Sequence, residues 1–234
     1  MDSNPVLILA HNCLELTKKC VASVLAQDIP TTVMIFDNGS TDETFKWAQN
    51  NLPKDSPIIH VPDNLGVSFG WNTGLRHLFA NEKCNHVLSL NNDVILSKTC
   101  YNQLLFCNVP FVSGSETTDL ADLDKEWPSL PLGGGPQFSA FLIRRDAWDK
   151  IGPFEERMVS WAGDCDYHIR AHRLGIPLQC SPVRYYHERS STIKTAFPKE
   201  RRQLELQADA DREVFKEIYG CYPGDPVGYS ALFR

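Results

Sequence analysis

Two aspartates and one histidine carry side chains of the kinds that bind metal ions in proteins. Asp37 and Asp93 each follow a short apolar run, and His187 lies much further along the chain. Carboxylate oxygens together with an imidazole nitrogen suit Mg²⁺ or Mn²⁺ that carries a diphosphate. Each residue alone has a simpler explanation, because an Asp at a strand end commonly forms a turn or caps a helix and a lone His is commonly structural. Only the combination points to a divalent cation.

The sequence contains neither of the common glycine-rich phosphate loops. Gly-x-x-x-x-Gly-Lys and Gly-x-Gly-x-x-Gly are both missing, which argues against an ordinary ATPase and a Rossmann dehydrogenase. A nucleotide, if one is bound, must be held by other groups.

Composition and charge narrow the kinds of binding partner and the cellular compartment that we expect. The net charge of −6 gives no general electrostatic attraction to nucleic acid or to an anionic membrane. The eight cysteines include no Cys-x-x-Cys pair, which favours free thiols in a reducing cytosol. The apolar runs stop far short of the ~20 residues that a membrane span needs, and the N-terminus lacks the pattern of a secretory signal. We therefore expect a cytoplasmic protein without a membrane span.

One late segment is basic in spite of the acidic total. Residues 184 to 202 contain six Lys or Arg residues against Glu188 and Glu200. The segment is either a solvated surface or a contact for a phosphate-bearing ligand.

Strands and helices alternate along the chain and would position these side chains. Apolar runs predict strands over 6–10, 33–36, 58–61, 87–90 and 138–143, and helical spacing predicts helices after residue 10 and over 67–79, 164–174 and 200–219. Ser40 and Glu43 have the spacing of a capping box for a further helix. The Pro- and Gly-rich stretch 126–136 predicts a functional loop. The pattern predicts an α/β protein whose mainly parallel central sheet carries helices on both faces, with ligands at the carboxyl ends of the strands.

Several segments, in the same order, resemble the family-2 glycosyltransferases. They are Val-Leu-Ile-Leu-Ala-His-Asn12, Phe-Asp-Asn-Gly-Ser-Thr-Asp42, Asn64-Leu-Gly66 with Asn72 and Gly74, Leu90-Asn-Asn-Asp93, Arg144-Arg-Asp-Ala-Trp148, Gly152-Pro-Phe-Glu155, Gly163-Asp-Cys-Asp-Tyr167 and Tyr186-His187. Leu90-Asn-Asn-Asp93 is similar to the Asn-Asn-Asp form of the family's Asp-x-Asp motif. The resemblance runs over nearly the whole chain.

This resemblance implies the GT-A fold of the nucleotide-diphospho-sugar transferases in a single domain, 1–234. Within it, 1–96 would be the half that binds the nucleotide-sugar, 97–199 the acceptor and catalytic half, and 200–234 a C-terminal helix and tail.

The resemblance also implies roles for individual residues. The nucleotide-sugar would be bound by Ala10, His11, Asn12, Asp37, Asn38, Asn64, Gly66, Asn72, Asn91 and Asn92. Asp93 and His187 would bind Mn²⁺ or Mg²⁺, which neutralises charge on the leaving diphosphate. Asp164 would be the general base. Asp166 is the alternative, because Gly163 stands where the family usually has an acidic residue. We place Trp161, Arg189 and Lys194 on the acceptor side.

The implied activity is an inverting transfer of a hexose from a UDP- or dTDP-sugar to an acceptor hydroxyl. The acceptor could be a glycan, a lipid-linked sugar, a small molecule, a protein, or a nucleic-acid or viral component, although the net charge does not indicate nucleic acid. Two alternatives are a catalytically inactive carbohydrate-binding domain of the same fold and a sugar-1-phosphate nucleotidyltransferase. The second would carry a Gly-rich N-terminal loop, and residues 10–18 contain no glycine.

Overall fold

A computed structural model describes residues 4–125, 137–188 and 198–233. The strands are β1 (Asn4–Ala10), β2 (Thr31–Asn38), β3 (Ile58–Val61), β4 (His86–Asn91), β5 (Val94–Leu96), β6 (Phe111–Thr117), β7 (Ala140–Arg144) and β8 (Leu178–His187). The helices are α1 (Leu14–Leu25), α2 (Thr44–Asn51), α3 (Val67–Phe79), α4 (Cys100–Phe106), α5 (Arg145–Ile151), α6 (Gly163–Arg173), α7 (Pro198–Tyr219) and α8 (Gly228–Ala231), with a short 3₁₀ turn at Leu120–Asp122. The predicted loop 126–136, and with it Arg189 and Lys194, lies outside the described residues.

The strands form one sheet in the order β3-β2-β1-β4-β7-β6-β8-β5. The neighbours β3, β2, β1 and β4 are parallel, as helical crossovers between successive strands require. Strand β7 is antiparallel to both β4 and β6, and β5 is antiparallel to β8, whereas β6 and β8 are parallel. The sheet is therefore parallel in its N-terminal half and mixed in the rest.

Helices cover both faces of the sheet, as the sequence predicts. On one face, α1, α2 and α4 pack against a buried cluster that includes Val21, Ile35 and Leu104. On the other face, α3, α5 and α6 contribute to a second cluster that is rich in aromatic side chains. Since the central strands are buried on both faces, their apolar runs are continuous rather than alternating.

A smaller third cluster joins the C-terminal helix to α6. Met158, Ala162, Ile169 and Phe215 form its buried centre, so α7 packs beside the start of α6. In the described part of the chain, no helix combines the length and apolarity that crossing a membrane demands.

The predicted capping box at the start of α2 is wrong. This helix begins at Thr44, and the backbone N–H of Thr44 donates to the carboxylate of Asp42 at 3.0 Å. The Ser40 hydroxyl instead accepts the backbone N–H of Asn12 at 2.8 Å. Ser40 therefore ties the loop after β2 to the loop after β1.

Candidate active site

The carboxyl ends of the parallel strands bring the first group of predicted residues to one edge of the sheet. In the strand register Ala10 is opposite Asp37, Asp37 is opposite His60, and Leu9 is opposite Asn91. Ligands of α/β sheets bind at this edge.

Asp37 is fully buried at this edge and half of its carboxylate is engaged. The Nδ1–H of His60 donates to Asp37 Oδ2 at 2.6 Å, and the Phe45 ring stacks on the His60 ring at 4.1 Å. The other oxygen, Oδ1, is buried without a hydrogen-bond partner in the described structure. Leaving a buried acceptor unsatisfied costs about 1–3 kcal/mol or more. A donor from a ligand, such as an N–H of a nucleobase, would remove this cost.

Two residues after β1 fix the loop beside Asp37. The Nδ1–H of His11 donates to the carbonyl of Asn38 at 2.9 Å. The side-chain oxygen of Asn12 accepts the backbone N–H of Thr41 at 2.7 Å. These contacts tie the ends of β1 and β2 together, while Ala10 is the buried last residue of β1.

Asn38, Asn64 and Gly66 shape the loop that leads into α3. Asn38 Nδ2 donates to Asn64 Oδ1 at 2.9 Å and to the Gly66 carbonyl at 3.0 Å. Gly66 has φ +92°, and a Cβ there would lie 2.4 Å from the carbonyl oxygen of Val159. Only glycine tolerates both the left-handed backbone and this close approach. These residues therefore build the loop whether or not they also touch a ligand.

The amides of Asn72 and Asn92 are used inside the protein. Asn72 Nδ2 donates to the Phe154 carbonyl at 2.9 Å and to Glu156 at 2.8 Å, while Asn72 Oδ1 accepts the Phe154 N–H. Asn72 is fully buried, so in the structure its amide joins α3 to the segment after α5, and its contact with the nucleotide-sugar stays a prediction. Asn92 Nδ2 donates to the Asn12 carbonyl and to the Thr17 hydroxyl, both at 2.8 Å; this side chain orders the loop after β1.

Asp93 and His187 lie together, as expected for ligands of one metal ion. His187 is at the end of β8, paired with Val94 of β5, and its Nε2 lies 3.2 Å from Asp93 Oδ1. The other ring nitrogen, Nδ1, lies 3.1 Å from Glu116 Oε2 on β6. All three side chains are largely buried. The strand order β6-β8-β5 thus assembles a carboxylate–imidazole–carboxylate row.

The donor types in this row fit Mg²⁺ or Mn²⁺ that also binds a diphosphate. Among residues 4–125, 137–188 and 198–233, no group of three or more His, Cys, Asp or Glu side chains is arranged to hold a metal by itself. This agrees with the geometry, because Glu116 contacts the opposite ring nitrogen and only Asp93 and His187 Nε2 share one point. Mg²⁺ sites commonly use one or two protein ligands and take the remaining ligands from phosphates and water.

The carboxylates on either side of His187 favour the protonated form of its imidazole. Burial lowers the pKa of its imidazole, but hydrogen bonds and charges from Asp93 and Glu116 outweigh burial and raise it to about 9. A metal ion at Nε2 would replace that proton, while Glu116 keeps the proton on Nδ1. Sequence reasoning missed Glu116, since no motif marks it and only the pairing of β6 with β8 brings it to His187.

The two candidate bases on α6 have different surroundings. Asp164 is exposed in the first turn, and its carboxylate accepts the backbone N–H of Cys165. Asp166 is buried, with Arg170 donating to its Oδ2 at 2.7 Å and the Tyr219 hydroxyl donating to its Oδ1 at 2.7 Å. Asp166 therefore joins α6 to α7, and of the two only Asp164 is accessible to a substrate.

A cleft of about 470 Å³ is lined by several of the predicted residues and by Glu116. Its lining includes Asn91, Glu116, Trp161, Asp164 and His187. Trp161 is 40% exposed, which offers an aromatic surface beside Asp164. The volume is typical of a small-molecule site.

The basic segment is only partly a surface feature. Arg184 is buried and donates to the Asp122 carbonyl at 3.0 Å, so it is structural. Arg201 and Arg202 are exposed on α7. The central part of the segment, with Arg189 and Lys194, lies outside the described residues.

Residues 6–106 match the family model described as Glycosyl transferase family 2. No curated protein is significantly similar in sequence. The match covers β1 to α4, including Asp37, Asn91 and Asp93, and it confirms the resemblance over these residues.

Solved structures share the fold at low sequence identity. S. aureus TarS in complex with UDP-GlcNAc aligns with a TM-score of 0.63 at 13% identity, over 99% of this chain and 70% of that one. Another S. aureus TarS structure aligns with a TM-score of 0.59 at 14% identity, over 91% of this chain but 43% of that one. The mannosyltransferase PcManGT from Pyrobaculum calidifontis, in complex with GDP-Man and Mn²⁺, aligns with a TM-score of 0.58 at 19% identity, over 97% and 67%.

These comparisons establish the GT-A fold. This chain spans less than half the length of one of the TarS chains that it matches. The Asn-Asn-Asp motif variant and the division of the domain into halves remain predictions.

Proposed function

We propose that this chain, with its family-2 match and GT-A fold, is an inverting, metal-dependent glycosyltransferase that moves a hexose from a UDP- or dTDP-sugar to an acceptor hydroxyl. The observation that carries the proposal is the cleft shared by His187 and Asp164. His187 contacts Asp93, which supports placing the predicted metal ligands and the predicted base at one site.

The residues divide the reaction between them. Asp37 Oδ1 would accept an N–H of the base, and Asp93 and His187 Nε2 would hold the cation. When bound, Mn²⁺ or Mg²⁺ supplies Lewis-acid stabilisation of the departing nucleoside diphosphate. Asp164 takes the proton of the acceptor hydroxyl as that oxygen attacks the anomeric carbon opposite the leaving group, which inverts the configuration.

The acceptor side of the cleft is an aromatic and carboxylate surface. Trp161, two residues before α6, lines the cleft together with Asp164, which suits a sugar ring stacked on the indole with one hydroxyl at the carboxylate. The other acceptors considered from the sequence, including lipid-linked sugars and nucleic acid, share only the attacking hydroxyl. An acceptor screen against a panel of saccharides and other hydroxyl compounds would choose among them.

The first test is the stabilisation of the protein by UDP in the presence and absence of metal. Ligand at about 100 times its Kd adds about 2.7 kcal/mol of stability, which raises the Tm of a chain of this size by roughly 2–4 °C per kcal/mol. We expect most of this shift with Mn²⁺ and little with chelator, because the cation links the diphosphate to Asp93 and His187. Equal shifts under the two conditions would contradict the metal site.

Donor turnover separates an enzyme from an inactive domain of the same fold. Slow hydrolysis of a UDP-sugar that requires metal is expected of the enzyme, with water replacing the acceptor. An inactive carbohydrate-binding domain would bind a saccharide without hydrolysing any donor of the panel.

Glu116→Gln is expected to weaken Mn²⁺ binding about 10–100-fold, the usual effect of losing a carboxylate behind a ligating histidine. Glutamine keeps the size of the side chain but removes the charge that orients His187. Calorimetric titration of Mn²⁺ into the protein with UDP measures the change. Glu43→Gln, an exposed glutamate beside α2, is the matched control and should bind Mn²⁺ normally. An unchanged affinity in Glu116→Gln would mean that Glu116 does not support the metal ligand.

A further inference from the structure

A buried aspartate of the C-terminal helix holds the loop in front of α6. Asp211 lies within α7 and is fully buried. Its carboxylate accepts the backbone N–H groups of Val159, Ser160 and Trp161 at 3.0, 2.8 and 2.7 Å. Gln207, one turn earlier on α7, donates to the same carboxylate at 2.8 Å. Three successive backbone donors thus converge on one side chain.

Ordinary packing does not account for this residue. Aspartate is a poor residue for a helix interior, and a buried carboxylate is costly unless hydrogen bonds satisfy its oxygens. Bonds of this kind are also stronger than neutral ones because the acceptor is charged. An apolar side chain at position 211 would fill the space but leave the three N–H groups without this acceptor.

The loop that Asp211 holds leads to a strained residue directly before α6, two residues ahead of the predicted base. Ala162, which precedes α6, has φ 63°. A left-handed conformation is unfavourable for alanine and persists only where the surroundings fix it. Asp164 follows in the first turn of α6. The direction of its carboxylate therefore depends on how firmly the preceding backbone is held.

The same loop is also held by α3 and by a second side chain of α7. The backbone N–H of Val67 donates to the Val159 carbonyl at 2.6 Å. The Arg212 guanidinium lies over the Trp161 ring at 4.3 Å from its centroid. The backbone is thus fixed between α3 and α7, and the indole is fixed by α7.

We propose that Asp211 is a positioning residue for the transfer reaction. By accepting the backbone N–H groups of 159–161, it fixes the orientation of the Trp161 and Asp164 side chains toward the cleft. The inference rests on the proposed function, because it assigns Asp211 to the acceptor side of that site. Asp211 itself does not touch the substrate.

The test compares Asp211→Asn with the wild-type protein by local hydrogen exchange and by donor hydrolysis. Asparagine keeps the size but turns an N–H₂ group toward backbone donors, so the loop loses acceptors. We expect the amides of 159–161 to exchange at least about tenfold faster, as the loss of a charge-assisted hydrogen bond implies. The kcat for hydrolysis of the UDP-sugar that the wild-type protein hydrolyses fastest should fall about tenfold or more. The KM for that donor, and the affinity for UDP with Mn²⁺, should stay within about twofold. None of the described contacts of Asp211 reaches the carboxyl edge of the sheet, where Asp37 lies.

Glu205→Gln is the matched control, since Glu205 is an exposed carboxylate on the same helix that pairs only with Arg202 in the described contacts. It should change none of these quantities. Unchanged exchange at 159–161 in Asp211→Asn would overturn the proposal. So would faster exchange with an unchanged kcat, or a loss of UDP binding equal to the loss of kcat.

A milder substitution, Gln207→Leu, tests the proposal if Asp211→Asn does not fold. Gln207→Leu removes one donor to Asp211 and leaves its three backbone contacts, so a smaller change in the same direction is expected in both exchange and kcat. No change in either quantity would again overturn the proposal. If UDP with Mn²⁺ fails to bind the wild-type protein, the proposed function fails, whereas the exchange experiment still reports whether Asp211 holds the loop.

Discussion

Asp164→Asn is expected to lower sugar transfer by about 10²–10⁴-fold, the usual contribution of a general base. Asp164 is exposed at the start of α6 and lines the cleft with Trp161 and His187. Asparagine keeps the size and a hydrogen-bonding oxygen but cannot take the proton of the acceptor. The fold and the binding of UDP with Mn²⁺ should be preserved. Initial rates of transfer, or of donor hydrolysis, measured beside the Tm will show whether chemistry alone is lost.

Asp166→Asn is the comparison variant. It is expected to lower stability and to leave the rate of transfer per folded molecule largely unchanged. Asp166 is buried between Arg170 and Tyr219. Removing its charge should lower the free energy of unfolding by about 1–3 kcal/mol, because buried donors lose a charged acceptor. The rate per folded molecule should change much less than in Asp164→Asn. If Asp166→Asn abolished transfer while Asp164→Asn transferred normally, the base would be Asp166 and the assignment made here would be wrong.

Asp93→Asn should have an effect of similar size through the metal. A bound cation contributes several kcal/mol to charge stabilisation in the transition state, on the order of 10²–10³-fold in rate. Asparagine preserves the volume next to His187 but is a weaker ligand for Mg²⁺ or Mn²⁺. We expect the metal-dependent part of the UDP-induced Tm shift to disappear along with the activity.

Asp149→Ala provides the control for that experiment, because Asp149 is an exposed carboxylate on α5. It should keep the full metal-dependent shift. A variant at Asp93 that still responds to Mn²⁺ as the wild-type protein does would move the cation to other ligands.

The sequence was most informative where local pattern decides the structure. The bounds of α3 were predicted at both ends, since apolar side chains recur at helical spacing from Val67 to Phe79. The meeting of Asp37 and Asn91 at one edge also followed from local pattern, because parallel strands align their carboxyl ends. The residue types of Asp93 and His187 suggested a shared cation, but the position of His187 beside Asp93 could be expected only from the family resemblance, because β5 and β8 are distant in sequence.

Contacts between distant elements could not be predicted where no motif marks the residues. Glu116 and Asp211 stand in no recognisable motif, and each gains its role from a neighbour that the tertiary fold supplies. Asn72 shows the reverse case, since its motif suggested a ligand contact but the packing of α3 against Phe154 occupies its amide. The antiparallel placement of β7 likewise depends on strand order, which apolar runs do not encode.

The dependence of the loop at 159–161 on α7 has a consequence for how the protein loses activity on heating. Apart from Phe215 and Asp211, α7 presents mainly half-buried or exposed side chains, and elements with few buried contacts open at lower free energy than a central sheet. Fraying of this helix would release the loop while β1 to β4 stay folded. Inactivation would then precede global melting, and the inactivated molecules would still bind nucleotide.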